Sequence, residues 1–327
     1  KNAIKNYNKA AEINNKEWAA YYGIGNMLST ESVYMNNDGV KTDHLNAIYN
    51  YNKAITAIEK NKVALSSSEF IRVKSMVYRK MATVLYLKLE LYDKAIEYYN
   101  KATEVNPQDY LSYLYKSDIY SEQFDDNDKA IEELTTIISF DLSNKNIDMS
   151  KVYYERAQIY DLHLNDFGKA LKDYSKAIEL HNSRSAWDLD NMFIKRNESY
   201  EKLEKFDIAI SEWNNYLNLY PKHKSYVDFK IGKIYFEDKN NLPLAISYFT
   251  KSLEDNNWKS DKIDSQASET LHLRSSAYFN NNELSKAIKD INDAIRINNE
   301  DYSLSLFTKK LYYLVAANEL NNAKSIV

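Results

Sequence analysis

The sequence predicts an all-α fold, and three observations carry that reading. The chain of 327 residues holds only 5 Gly and 3 Pro, too few for a β protein that must turn about every ten residues. Hydrophobic residues make up 44% and charged residues 28%, the balance of a globular chain rather than a disordered one. Most telling is one amphipathic stretch, Asp93–Pro107 (DKAIEYYNKATEVNP), whose pattern recurs along the chain. In it Ala95, Ile96, Tyr99, Ala102 and Thr103 share one helical face, and Lys94, Glu97, Asn100 and Lys101 take the other.

Taken in order, Ala-Ile or a close variant begins at Ala3, Ala47, Ala95, Ala130, Ala170, Ala209, Ala245 and Ala287, in steps of 35 to 48 residues. Each step has room for the repeated helix and a second amphipathic helix before it. The clearest of these are Tyr110–Gln123, Lys151–Leu164 and Tyr226–Glu237. Each such helix places a compact residue three positions before a large one: Gly25/Leu28, Thr83/Tyr86, Ser117/Tyr120, Ala157/Tyr160, Gly232/Tyr235 and Ser275/Tyr278, with the bulkier Asn197/Tyr200 as the exception. A compact residue there lets two helices approach closely.

The period divides residues 1–327 into a single array. Residues 1–14 read as the second helix of an incomplete repeat, and repeats follow at 16–61, 69–107, 110–140, 151–181, 187–221, 225–255 and 265–299. Residues 302–327 form a partial terminal repeat, with another second helix expected to begin at Asn321. Both ends read as cut, so a longer parent protein is expected. Pro107 and Pro221 close repeats, whereas Pro243 stands where a first-turn helix proline belongs. Extra residues fall at Thr30–Asp43, with a turn expected at Asn36–Gly39, and at Asn61–Ser68, Asp141–Ser150, His181–Asp190 and Asp255–Asp264. They read as solvated linkers, or as segments some of which touch a partner.

Tyr21-x2-Ile24-Gly25-x2-Leu28 in a first helix, and Ala95-x3-Tyr99 through Pro107 in a second, resemble the tetratricopeptide (TPR) repeat, whose unmodified period is 34. About eight divergent copies cover essentially the whole chain. The resemblance implies a right-handed α-solenoid of antiparallel helix pairs, with the first helix of each repeat lining the inner, concave surface.

Several chemistries find nothing to rest on. There is no Cys, and the five His (His44, His163, His181, His223, His272) show no metal-ligand spacing. Motifs for a nucleophile elbow, a P-loop or a dinucleotide site do not occur. The net charge of −4 comes without a Lys/Arg stripe, which speaks against nucleic acid. No apolar run approaches a membrane span. The expectation is therefore a soluble, non-catalytic chain with no cofactor; its compartment is left open, the cytoplasm being preferred to the periplasm or the outside.

Most of the 29 Tyr fall at core places of the repeat. The groove-facing places implied by the resemblance are next to them, and hold Tyr22, Asn26, Lys80, Asp118, Glu122, Tyr154, Gln158, Asp161, Glu198, Glu201, Phe229, Lys233, Phe236, His272 and Phe279. Among these Tyr154, Phe229, Phe236 and Phe279 read as apolar anchors on a wet face, and Asp118, Glu122, Asp161, Glu198 and Glu201 make its middle acidic. The same residues could instead pack inside a tight superhelix. Some members of the family hold a carboxylate terminus with a Lys and Asn one turn apart; Tyr22/Asn26 and Lys80/Val84 do not assemble that clamp.

The resulting expectation is a protein-interaction scaffold whose concave face holds a protein or peptide segment with apolar anchors and some basic residues. The alternative is the regulatory or substrate-recruiting arm of an enzyme whose catalytic domain lies outside these residues.

Overall fold

A computed structural model of the chain describes residues 17–30, 37–60, 65–140, 147–181, 189–254, 265–297 and 303–324. Every regular element among them is helical, as the scarcity of Gly and Pro foretells. The helices form two compact units, Lys1–Met192 and Phe193–Val327.

In the first unit, α1 (Glu17–Thr30) packs on α2 (Asn37–Lys60), α3 (Ser67–Leu87) on α4 (Tyr92–Val105), α5 (Tyr110–Glu122) on α6 (Asn127–Ile138), and α7 (Met149–Gln158) on α8 (Phe167–Leu180). Helix α7 runs on into a π-helical turn, Ile159–His163. Helix α9 (Leu189–Lys202) begins in the first unit and contributes the remainder to the second. There α10 (Phe206–Leu219) is followed by a 3-10 turn, Pro221–His223, and by α11 (Lys224–Lys233) with its own π turn, Ile234–Asp238. Helix α11 packs on α12 (Leu242–Ser252), α13 (Ser265–Asn280) on α14 (Leu284–Arg296), and α15 (Ser303–Lys324) on α14. Each unit is thus a run of antiparallel helix pairs in which neighbours pack on neighbours, the α-solenoid class.

One contact recurs in at least three of the pairs. The compact residue of the first helix meets the large residue four after the repeated Ala. An ideal Cβ on Gly25 would lie 2.6 Å from the Tyr51 ring, and one on Gly232 would lie 2.8 Å from the Phe249 ring. The Thr83 and Tyr99 hydroxyls are 3.2 Å apart. The repeated alanines Ala47, Ala95, Ala130, Ala170, Ala209, Ala245 and Ala287 are all fully buried, because the helices are too close there for a larger side chain.

Six of the turns that lead into a repeated second helix are uniform among the described residues. Glu90, Asp125, Asn165, Glu204, Asn240 and Asn282 all have positive φ, between 46° and 62°, and each stands five residues before a repeated Ala. The left-handed residue lets the chain double back, and a backbone bond such as Asp126 N–H to the Tyr120 carbonyl (2.8 Å) or Asp166 N–H to the Tyr160 carbonyl (2.8 Å) closes the loop. Asp126, Asp166 and Asn241 then cap the following helix through their side chains.

Two local expectations change. Asn37–Gly39 form the first turn of α2 rather than a free turn; Asn and Asp suit a helix start as well as a loop. Helix α15 continues through Lys324, with no break before Asn321. The helix expected over residues 1–14 and the insertions at 31–36, 61–64, 141–146, 182–188 and 255–264 lie outside the described residues.

Candidate functional site

The places expected to line a groove stand at fixed offsets from the compact residue of each first helix, so each unit carries a row of them. In the first unit the row is acidic. Asp118 and Glu122 stand one turn apart on α5, and Glu155 on α7 feels the charge of both. Burial, reinforced by Glu122, pushes the Asp118 carboxyl up to about 6, with Lys151 opposing. Burial pushes Glu155 up to about 7, with Asp118 and Glu122 adding to the rise and Lys151 counteracting it. Lys151 Nζ is 3.3 Å from Glu155 Oε1, while Glu155 Oε2 is buried without a hydrogen-bond partner. One lysine therefore faces three carboxylates that crowd one another.

The second unit neutralises itself. Glu198 accepts from Lys195 and Lys230, each at 3.0 Å. Burial disfavours the ionised Glu198, yet Lys230 and Lys195 outweigh it and hold the carboxyl below its usual range. Glu201 accepts from Trp213 Nε1 at 2.6 Å, and burial raises its carboxyl against the pull of Lys230. Lys230 lies over the Trp213 and Tyr226 rings, and Lys233 pairs with Glu237 at 3.8 Å.

The apolar places behave differently from a wet-face reading. Tyr154 is 1% and Phe229 6% exposed. Tyr154 packs on Tyr174 at 5.7 Å and its hydroxyl accepts from Asn191 at 2.8 Å. Phe229 packs with Phe249 and Leu273. The reason in both cases is the next first helix, which lies close enough to cover the place. Phe236 is half-buried beside Phe249, and Phe279 stacks on Tyr313 with ring centroids 4.8 Å apart. Asp161 is also buried and accepts from the Tyr174 hydroxyl at 3.3 Å. These five are packing groups, not exposed anchors.

The remaining predicted places are half-exposed. Asn26 accepts from the Tyr51 hydroxyl at 2.8 Å, and Tyr22 is tilted against the Tyr51 ring. Lys80 and Gln158 are half-buried on α3 and α7. His272 on α13 is held below its ordinary range by burial and by the charge of Lys309. Glu155, Lys151, Lys195 and Lys230 were outside the predicted set. Glu155, Lys195 and Lys230 share the place two before the compact residue, which is uncharged in Gly23, Met81, Tyr115 and Leu273; that contrast is the signal that could have found them.

Models of the tetratricopeptide repeat match residues 84–109, 150–183 and 268–301. No curated protein sequence matches the chain. Among solved structures, the C-terminal part of a TPR repeat-containing protein from Cytophaga hutchinsonii is 16% identical over 83% of this chain and 97% of that one, with a TM-score of 0.54, a likeness of fold. PilW, a type IV pilus biogenesis factor, is 17% identical over 72% of this chain and 97% of its own, at a TM-score of 0.47. YrrB, described as a TPR protein with an unusual peptide-binding site, is 19% identical over 66% and 99% respectively, at 0.44.

Proposed function

Because the chain belongs to the tetratricopeptide-repeat family, we propose that it is a non-catalytic protein-interaction scaffold, and that the first-helix row of its first unit receives a partner segment through that segment's basic side chains. The observation that supports the reading is the under-neutralised carboxylate group of Asp118, Glu122 and Glu155, set against the closed Lys195–Glu198–Lys230 network of the second unit. Carboxylates that crowd one another in a partly dry setting bind a cation more strongly than solvated ones do. A Lys or Arg arriving from a partner would relieve their repulsion and pair the buried Glu155 oxygen. The apolar part of the recognition falls to half-buried rings such as Tyr22, since Tyr154 and Phe229 are already covered.

The test is affinity capture from a native lysate with the wild-type chain and with an Asp118→Asn/Glu122→Gln/Glu155→Gln variant of equal melting temperature, followed by mass spectrometry. A protein held by the wild type, released by about 0.5 M salt and lost by the variant is the expected result. Equal retention by both would refute the acidic row as the binding surface.

A further inference from the structure

Turns between paired helices are normally polar, because they run over the surface and their side chains meet water. Three turns of the first unit are not. Around the left-handed residues Glu90, Asp125 and Asn165 stand Leu87 and Leu91, Phe124, and Leu162 and Leu164, each between 40% and 58% exposed. They are five of the eight large apolar side chains that the described residues of the first unit leave exposed, so the exposure is gathered at one edge of three successive pairs rather than scattered. The three pairs, α3–α4, α5–α6 and α7–α8, all lie inside the array with further helices before and after them. The edge is continuous between the first two, where the Phe124 ring meets the Tyr92 ring of the preceding pair edge to face, with centroids 6.5 Å apart.

The helix pairs do not require these side chains. In the second unit the corresponding places, three before, one before and one after Glu204, Asn240 and Asn282, hold charged or amide residues except for Leu203 and Phe279, which are half-buried. Nor does the π turn ask for them: Leu162 is the fourth residue of one such turn and Glu237 the fourth of the other. Packing and turn geometry are thus satisfied without exposed apolar groups at this edge.

The border of the edge is acidic. Exposed Glu90, Asp93, Asp125 and Asp128 form no ion pair among the described residues. Lys129 and Lys169 are held by Asp126 at 2.6 Å and by Asp166 at 2.8 Å, which leaves Lys88 and Lys94 to face four carboxylates. Such an edge attracts an apolar segment that carries Lys or Arg. It repels anionic lipid, and it repels its own counterpart on a second copy of a chain whose net charge is −4.

We propose that the turn edge of α3–α4, α5–α6 and α7–α8 docks a basic amphipathic segment of a partner protein. Its apolar side chains lie on the four leucines and Phe124, and its Lys or Arg side chains meet Glu90, Asp93, Asp125 and Asp128. Asp118 and Glu155 take no part, so this reading and that of the acidic row fail separately.

Three synthetic peptides of about 18 residues test it: an amphipathic Leu/Lys helix, the same peptide with Glu for Lys, and the same peptide with Ser for Leu. Each is titrated against the full chain by calorimetry. The Leu/Lys peptide is expected to bind at least about tenfold tighter than either of the others. Leu87→Gln/Leu162→Gln/Leu164→Gln should weaken it about tenfold or more while leaving circular dichroism and the melting curve unchanged, since these side chains already meet water. Asp125→Lys/Asp128→Lys should reverse the preference between the Lys and Glu peptides, and Asp118→Asn/Glu155→Gln should bind as the wild type does. The proposal is overturned if the Leu/Lys peptide binds no tighter than the Ser-substituted one, or if the leucine variant keeps wild-type affinity. It is overturned too if Asp118→Asn/Glu155→Gln loses binding, which would put the peptide in the acidic row. Pelleting of the chain with phosphatidylglycerol vesicles, or a dimer in sedimentation, abolished in either case by the leucine variant, would give the edge to lipid or to a second copy and overturn it as well.

Discussion

At the residue scale, the contact between a compact residue on one helix and a ring on the next is where single substitutions act most sharply. The Gly232 place leaves a Cβ only 2.8 Å from the Phe249 ring, and that ring is itself fully buried against Phe229 and Phe236. Gly232→Ala must push it aside. We expect a loss of about 1–3 kcal/mol in denaturant unfolding, and an unchanged midpoint would contradict the packing. The same place in another repeat is filled by Asn197, fully buried, with neither its amide nitrogen nor its carbonyl oxygen hydrogen-bonded. Removing both orphaned groups with Asn197→Ala should raise stability by about 1 kcal/mol despite the lost volume. The two alanine variants are thus predicted to move melting temperatures in opposite directions. The periodicity showed that Asn197 is oversized for its place; that its polar atoms lack partners was not legible, because partners come from other helices.

At the scale of the helix pair, one ion pair and one turn recur in register. The cation just before the compact residue meets the carboxylate three after the repeated Ala, in Lys116–Glu133 (2.7 Å), Arg156–Asp173 (2.7 Å) and Arg274–Asp290 (2.7 Å), and in the short Arg196–Glu212 contact. Where the cation is absent, Ala82 and Ile231 stand opposite Tyr98 and Tyr248 instead. Arg156 and Arg274 also donate to Thr135 (2.8 Å) and Thr250 (3.1 Å) on the preceding second helix, so each fork ties three helices. Arg156→Ala would leave a buried Asp173 uncompensated, and a cost of about 3 kcal/mol is expected in urea unfolding. The turns point the other way. Glu204 holds φ at 56°, a conformation that strains a residue bearing Cβ. Glu204→Gly should therefore raise stability by about 0.5–1 kcal/mol, provided the more flexible unfolded chain does not offset it fully; a lowered melting temperature would sink the idea that the turn stores strain.

At the scale of the molecule, the acidic row makes the first unit sensitive to pH. Asp118 and Glu155 titrate higher folded, at about 6 and about 7, than exposed carboxyls do. A carboxyl whose folded value is raised stabilises the fold when protonated, fully below the unfolded value and progressively less as pH rises through the folded one. The unit should accordingly gain stability on acidification from about pH 7.5 to 5.5, seen as a rise of a few degrees in its melting transition. Glu155→Gln should flatten that dependence, and an identical slope in wild type and variant would show that the group is not where the pH response resides.

The sequence by itself determined the all-α class, the helix pairs and their order. Those follow from local periodicity and from the spacing of Ala95, Ala130, Ala170, Ala209, Ala245 and Ala287, which a single helix can express. It also fixed the spacing of the expected groove places, because offsets along one helix are set by its geometry. What only the tertiary structure decided is which members of that row meet water. Tyr154 and Phe229 share an offset with the half-exposed Tyr22 and Lys80, yet the next first helix comes down on them and shuts them in. Exposure depends on how closely successive pairs stack, and that distance is set by side chains some 35 to 48 residues away in the chain. The charge balance of the two units was hidden for the same reason: Lys230 reaches Glu198 across two helices, whereas among the described residues Lys151 alone is paired with Glu155.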